Sequence, residues 1–135
     1  MFIDTHAHLS FENFKDDIDE VINRALESGV DYIVVPATDL KTAREAIALS
    51  EKYKQVYATV GIHPHDTKDW NENLVAEIEA LAKHPKVVAI GEIGLDYYYD
   101  FSPQDQQIKA FKSQLDLAIE LELPVVIHNR DSDGD

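Results

Sequence analysis

The six histidines of this chain are placed so unevenly that they suggest a site. His6 and His8 end the segment Met1-Phe2-Ile3-Asp4-Thr5-His6-Ala7-His8, just after a short apolar run. On a strand, residues i and i+2 point to the same side, so the spacing predicts two imidazoles reaching one cation from a rigid element. An H-x-H alone is a weak signal. It gains weight from Glu92 and His128, each of which follows another apolar strand-like run. Neutral imidazoles suit zinc and other borderline metals, and a carboxylate can bridge two cations through its two oxygens. The bland alternative makes the early histidines solvated turn residues and Glu92 an exposed loop acid. Gly91 and Gly94 beside Glu92 instead suggest close backbone approach to something.

Further polar groups gather near the same places. Val60-Gly61-Ile62-His63-Pro64-His65 adds two imidazoles that could be metal ligands, groups behind the ligands, or phosphate contacts. For direct metal ligation, a plain turn built on Gly61 and Pro64 is an equally good account. Arg130 is a natural phosphate clamp, and its competing role is a surface ion pair with Asp131. Tyr97, Tyr98 and Tyr99 could stack bases, although such runs more often pack under a loop. His84 follows a helix and is expected at the opposite edge, without chemistry. Asp131, Asp133 and Asp135 alternate with Ser132 and Gly134, but the stretch is too short for a calcium loop and lacks its glutamate.

The elements that must position these groups alternate between strand and helix. Phe2-Ile3 starts the first strand. Phe14, Ile18, Val21, Ile22, Ala25 and Leu26 recur at helical spacing up to a capping Gly29. Tyr32-Ile33-Val34-Val35 reads as a strand buried on both faces. A second helix follows Asp39, with Ala43, Ala46 and Ile47 on one side. Val56 to Val60 is the third strand. Leu74, Ile78, Leu81 and Ala82 mark a third helix stopped by Pro85, and Val87 to Ile90 is the fourth strand. Ser102-Pro103-Gln104-Asp105 predicts a helix start with serine as N-cap. That helix, with Ile108, Phe111, Leu115, Ala118 and Ile119 on its apolar face, ends at Leu123-Pro124. Val125-Val126-Ile127 is the fifth strand.

Five strands alternating with four helices predict an α/β fold with a parallel sheet. Helix-to-strand segments are short and plain. Strand-to-helix segments carry nearly everything reactive: Asp4 to His8, Thr38-Asp39, Gly61 to Asp66, Gly91 to Asp96 and His128 to Asp131. Chemistry at the carboxyl ends of parallel strands points to a TIM (β/α)8-barrel type. A doubly wound sheet uses the same edge. Its first turn would carry a glycine-rich phosphate loop, where this chain has histidines.

Composition narrows the function. No cysteine is present, which excludes a thiolate zinc site and a cysteine nucleophile. A formal charge of −14 argues against broad charge-driven binding to nucleic acid or anionic membranes. It leaves room for a phosphate substrate, because two bound cations would invert the local field. No apolar run approaches the ~20 residues of a membrane span. The opening residues lack a secretory pattern, so a cytoplasmic address is expected.

His6-Ala7-His8, Val60 to His65, Gly91-Glu92-Ile93-Gly94-Leu95-Asp96-Tyr97 and Pro124 to Arg130 together closely resemble the TatD family of metal-dependent hydrolases. The resemblance covers the whole chain in order and spacing. It implies a TIM barrel and a deoxyribonuclease that uses two divalent cations (zinc, magnesium or manganese). His6 and His8 would hold one metal, Glu92 would bridge two and act in catalysis, and His128 would bind the second. His63, His65 and Arg130 are candidate substrate contacts. In the family, a further histidine and a catalytic aspartate follow later in the barrel. Residues 1–135 are thus expected to be the N-terminal portion of one barrel, without an internal domain boundary. DNA or another phosphodiester is the expected substrate, and self-association through unpaired barrel edges is expected too. The rival readings are a related amidohydrolase or phosphoesterase acting on another ester or amide, and a non-catalytic truncated fragment.

Overall fold

The computed structural model describes residues 1–135, and its period-two burial shows how the strands are used. Ile33 and Val35 on one strand, and Val56, Ala58 and Val60 on the next, are buried at alternate positions beneath helices. The elements run β1 (Phe2–Asp4), α1 (Ile18–Glu27), β2 (Val30–Val35), α2 (Leu40–Lys52), β3 (Val56–Val60), α3 (Asn73–Ala82), β4 (Val87–Asp96), α4 (Gln104–Glu120) and β5 (Val125–Arg130). Two short 3-10 turns, Glu12–Phe14 and Pro64–Asp66, interrupt the first and third strand-to-helix connections.

All five strands are parallel and lie in sequence order, β1-β2-β3-β4-β5. The helices pack against the strands beside them, with α2 on β3 and α4 on β4 as the most extensive contacts. The result is an α/β half-barrel. One core joins Ile22 of α1, Ile78 of α3, Ile90 and Ile93 of β4, and Leu117 and Ala118 of α4 to the inner residues of β2 and β3. No helix is long and apolar enough to cross a membrane.

Several sequence expectations need correction. Tyr32-Ile33-Val34-Val35 is not buried on both faces: Tyr32 is exposed, because the face away from the helices is only partly covered. The fourth strand does not stop at Ile90 but runs on to Asp96, so Glu92 belongs to the strand itself. β5 likewise continues through His128 to Arg130. Glycine makes this extension feasible. A Cβ at Gly91 would meet Val126 Cβ at 2.6 Å, and Gly94, at φ 138°, leaves no space for a side chain against the His128 carbonyl.

Ser102 does not cap α4, which starts at Gln104 after Pro103; its hydroxyl instead donates to the His65 carbonyl at 2.8 Å. Asp39 does cap α2, in a reciprocal capping box: its carboxylate accepts from Thr42 N–H at 2.7 Å. Phe14, read as the start of the first helix, sits in the 3-10 turn ahead of α1.

Candidate metal centre

β1 ends at Asp4, so His6 and His8 leave the strand and are not held within it as their spacing predicts. Local bonds hold them instead. The Asp4 carboxylate accepts from His6 N–H at 3.1 Å, and Ala7 N–H donates to the Val34 carbonyl at 3.1 Å, extending the β1–β2 ladder by one step. Phe11 stacks on the His8 ring with centroids 4.7 Å apart. Both imidazoles face one carboxylate oxygen: His6 Nε2 and His8 Nε2 lie 3.4 and 3.7 Å from Glu92 Oε2.

Glu92 is buried and rigidly mounted. Its N–H donates to the Ala37 carbonyl at 2.7 Å, and the buried Thr59 hydroxyl donates to the carbonyl of the preceding Gly91. Its other oxygen, Oε1, lies 3.2 Å from His128 Nδ1. The two oxygens of one carboxylate therefore divide between two sets of imidazoles. Ligand bonds of 2.0–2.2 Å at tetrahedral angles separate neighbouring donor atoms by about 3.3 Å, close to the distances around Oε2. His6, His8 and Glu92 thus fit a divalent cation by donor type and spacing. Burial, opposed by the Glu92 charge, pushes His8 below the ordinary histidine pKa, which keeps a lone pair available at neutral pH. Its Nδ1 is buried without a hydrogen-bond partner.

Asp96 organises the other side of the site. In the sequence its only mark is its place in the segment Gly91 to Tyr97. It is buried at the end of β4, with His65 Nε2 and His128 Nε2 each 2.8 Å from Oδ2. Tyr98 and Tyr99 N–H donate to Oδ1 at 3.1 and 3.0 Å. Burial alone would raise this carboxyl, but the Tyr99 N–H and the two imidazoles outweigh it and hold Asp96 at about 2. An ionised carboxylate only accepts, so both imidazoles carry their protons on Nε2. That leaves His128 Nδ1, the other ring nitrogen, on the side of Glu92 Oε1. A carboxylate that orients a metal-binding imidazole through its second nitrogen recurs in metal sites.

His63, His65 and His128 form a second group of close imidazoles, with ring centroids 4.3 Å apart for His63–His65 and 4.5 Å for His63–His128. This group suits a metal less well. Burial, and then the neighbouring imidazoles, push His63 down to about 3, so it is neutral. Its Nδ1 accepts His65 N–H at 3.1 Å, which places the ring proton on Nε2 and leaves no free lone pair. His63 is buried, whereas His65 is partly exposed at the same edge.

Two buried glutamines on α4 fix the segments that carry these groups. Gln107 accepts from Asp96 N–H at 2.8 Å and donates to the Asp96 carbonyl at 3.0 Å. Gln114 does the same for Ile62, at 2.7 and 3.1 Å, just before His63. Both sit on a helix face that apolar spacing alone would assign to the core, and the only sequence signal was two amides on that face. Replacing Gln107 with Leu leaves both backbone groups of Asp96 unpaired. The fold should lose roughly 2 kcal/mol or more, read as a lower midpoint in urea with unchanged slope. An unchanged midpoint would remove Gln107 from this role.

His84 and Arg130 are not among the side chains that converge on Glu92. His84 pairs with Glu51 at 3.3 Å, on the turn between α3 and β4. Arg130 makes no ion pair with Asp131; its guanidinium lies over the Tyr98 and Tyr99 rings, 4.1 and 4.9 Å from their centroids.

Comparison with known proteins shows the family. The family model for TatD related DNase matches residues 3–135. The chain belongs to that family. It is 47% identical over 135 residues to the uncharacterized metal-dependent hydrolase YabD of Bacillus subtilis, covering all of this chain and 53% of YabD. It is 40% identical to the 3'-5' ssDNA/RNA exonuclease TatD of Citrobacter koseri, covering 96% of this chain and 50% of that protein. The crystal structure of YjjV, a TatD homologue from Escherichia coli K12, superposes with a TM-score of 0.89 at 36% identity, over 97% of this chain and 51% of YjjV. The chain therefore spans about half the length of these relatives.

Proposed function

We propose that this chain forms the metal-holding portion of a hydrolase that cleaves phosphodiester bonds of DNA, and that residues 1–135 are the N-terminal part of one TatD barrel. Membership of a family of metal-dependent hydrolases and nucleases supports the class of reaction. The main structural support for two cations is the carboxylate of Glu92, with Oε2 toward His6 and His8 and Oε1 toward His128. Bound divalent cations would supply Lewis acidity toward water and toward the phosphoryl oxygens. The imidazole-rich donor set favours zinc over magnesium, which prefers oxygen ligands.

The protein's own groups have separable tasks in this reading. His6, His8 and Glu92 would hold one cation, and Glu92 and His128 would hold the other. Asp96 fixes the tautomer and tilt of His128 and His65. His65 and Arg130 border the same mouth and contact substrate phosphate, with buried His63 packed behind their imidazole neighbours. The rest of a barrel twice this length would supply the remaining ligands.

The test is a side-by-side assay of the full-length protein on a DNA oligonucleotide, a chromogenic phosphodiester and a small amide. Both phosphodiesters should be cleaved with manganese or zinc present and not after chelation. His6→Ala/His8→Ala should lower the rate at least about a hundredfold. Amide cleavage without phosphodiester cleavage would assign the site to a different hydrolase.

A further inference from the structure

Arg130 is held differently from the other arginines of the chain. Arg24 and Arg44 lie against carboxylates, 3.7 Å from Glu20 and 3.1 Å from Glu77. Arg130 has Asp131 as its chain neighbour, yet its guanidinium is laid on two rings. Its carbon Cζ is 4.1 Å from the Tyr98 centroid and 4.9 Å from the Tyr99 centroid. A ring takes the flat face of a guanidinium and leaves its N–H edges free. A fork of donors held off every carboxylate, at the mouth of a phosphodiesterase, matches the oxygens of a phosphate.

Its place relative to the cations says which phosphate. Arg130 stands two residues beyond His128 on β5, so both leave the same side of the strand with Cα atoms about 7 Å apart. The His128 ring has Glu92 Oε1 3.2 Å from Nδ1 on one side and Asp96 Oδ2 2.8 Å from Nε2 on the other. Asp96 in turn accepts Tyr98 and Tyr99 N–H through Oδ1. Outward from Glu92, the order is His128, Asp96, and then the tyrosines that carry the guanidinium. Two side chains thus separate Arg130 from the carboxylate that the cations would share. A phosphate on its N–H edges is not the one under attack but the next along the substrate.

We propose that Arg130 anchors the phosphate neighbouring the scissile diester, and that Tyr98 and Tyr99 are positioning residues that keep the guanidinium aimed at it. This inference rests on the phosphodiesterase reading above and assigns it a second phosphate subsite. A substrate with a single phosphate misses the contact. One with a second phosphate gains a charge-assisted pair that is the same before and during reaction, so it binds more tightly without reacting faster.

The test compares three dinucleotides on the full-length protein with manganese or zinc: thymidylyl-thymidine, and the same molecule phosphorylated at its 5′ or its 3′ end. One phosphorylated form should show a KM about tenfold below that of the plain dinucleotide, with kcat within about twofold. Arg130→Ala should bring all three to a common KM. Tyr98→Leu/Tyr99→Leu should lose most of the preference although Arg130 is still present, and Tyr98→Phe/Tyr99→Phe should keep it, because the ring faces remain. Equal KM values in wild type, a gain confined to kcat, or a preference that survives Arg130→Ala would overturn the anchor. A preference that survives the double leucine variant would overturn the role of the tyrosines. Cleavage of none of the three would sink the hydrolase reading instead, and equilibrium titration of the metal-loaded protein with the same dinucleotides then judges the anchor by the same ratios.

Discussion

Glu92→Gln is expected to abolish metal-dependent cleavage in the full-length enzyme, lowering the rate by at least about a thousandfold, since several kcal/mol of charge stabilisation depend on the cations. The change is nearly isosteric, so the buried position between Thr59 and Ala37 should keep its shape. What changes is the chemistry at both ends. The amide has no charge to share between cations, and its NH2 must face either the His6 and His8 Nε2 atoms, 3.4 and 3.7 Å away, or His128 Nδ1, 3.2 Å away. Steady-state rates on the chromogenic phosphodiester, with metal content measured on the same samples, check this. A variant with normal metal content and normal rate would show that Glu92 is not the shared ligand.

The 135-residue chain prepared by itself is expected to self-associate, or to melt broadly as a loosely packed monomer. β1 pairs only with β2 and β5 only with β4, so each leaves one side of its backbone unpaired. The side chains there are apolar: Phe2, Ile3 and Ile127 are 68%, 56% and 55% exposed. In a closed barrel further strands would cover both edges and fill the face opposite the helices. The charge of −14 opposes unlimited aggregation, yet charge cannot satisfy a hydrogen-bond ladder. Size-exclusion chromatography with light scattering, run beside a thermal melt, decides the matter. A strict monomer with a sharp cooperative melt would mean that these residues close their own core.

The element order and the parallel sheet were legible because apolar runs alternate between strand and helix periods, and because the reactive residues follow the strands. The convergence of His6, His8, Glu92 and His128 followed from the same pattern. The strand ends were not legible. Gly91 and Gly94 read as loop residues, whereas here glycine permits β4 and β5 to run closely past Glu92 and His128. Ser102 looked like a helix cap because its local sequence fits one, but its partner is the His65 carbonyl, 37 residues away in the chain. Asp96, Gln107 and Gln114 work through contacts between distant segments, and nothing in their immediate neighbours marks them. Arg130 stood beside Asp131 in sequence, yet at the end of β5 it turns toward the tyrosines.

The central claim, that one carboxylate is shared by two cations, is tested most directly by anomalous diffraction from crystals of the full-length protein soaked with manganese or zinc. Two peaks are expected, one bounded by His6, His8 and Glu92 and the other between Glu92 and His128, with Asp96 still bonded to the far side of the His128 ring. A single peak among His63, His65 and His128, with Glu92 outside its reach, would contradict the account.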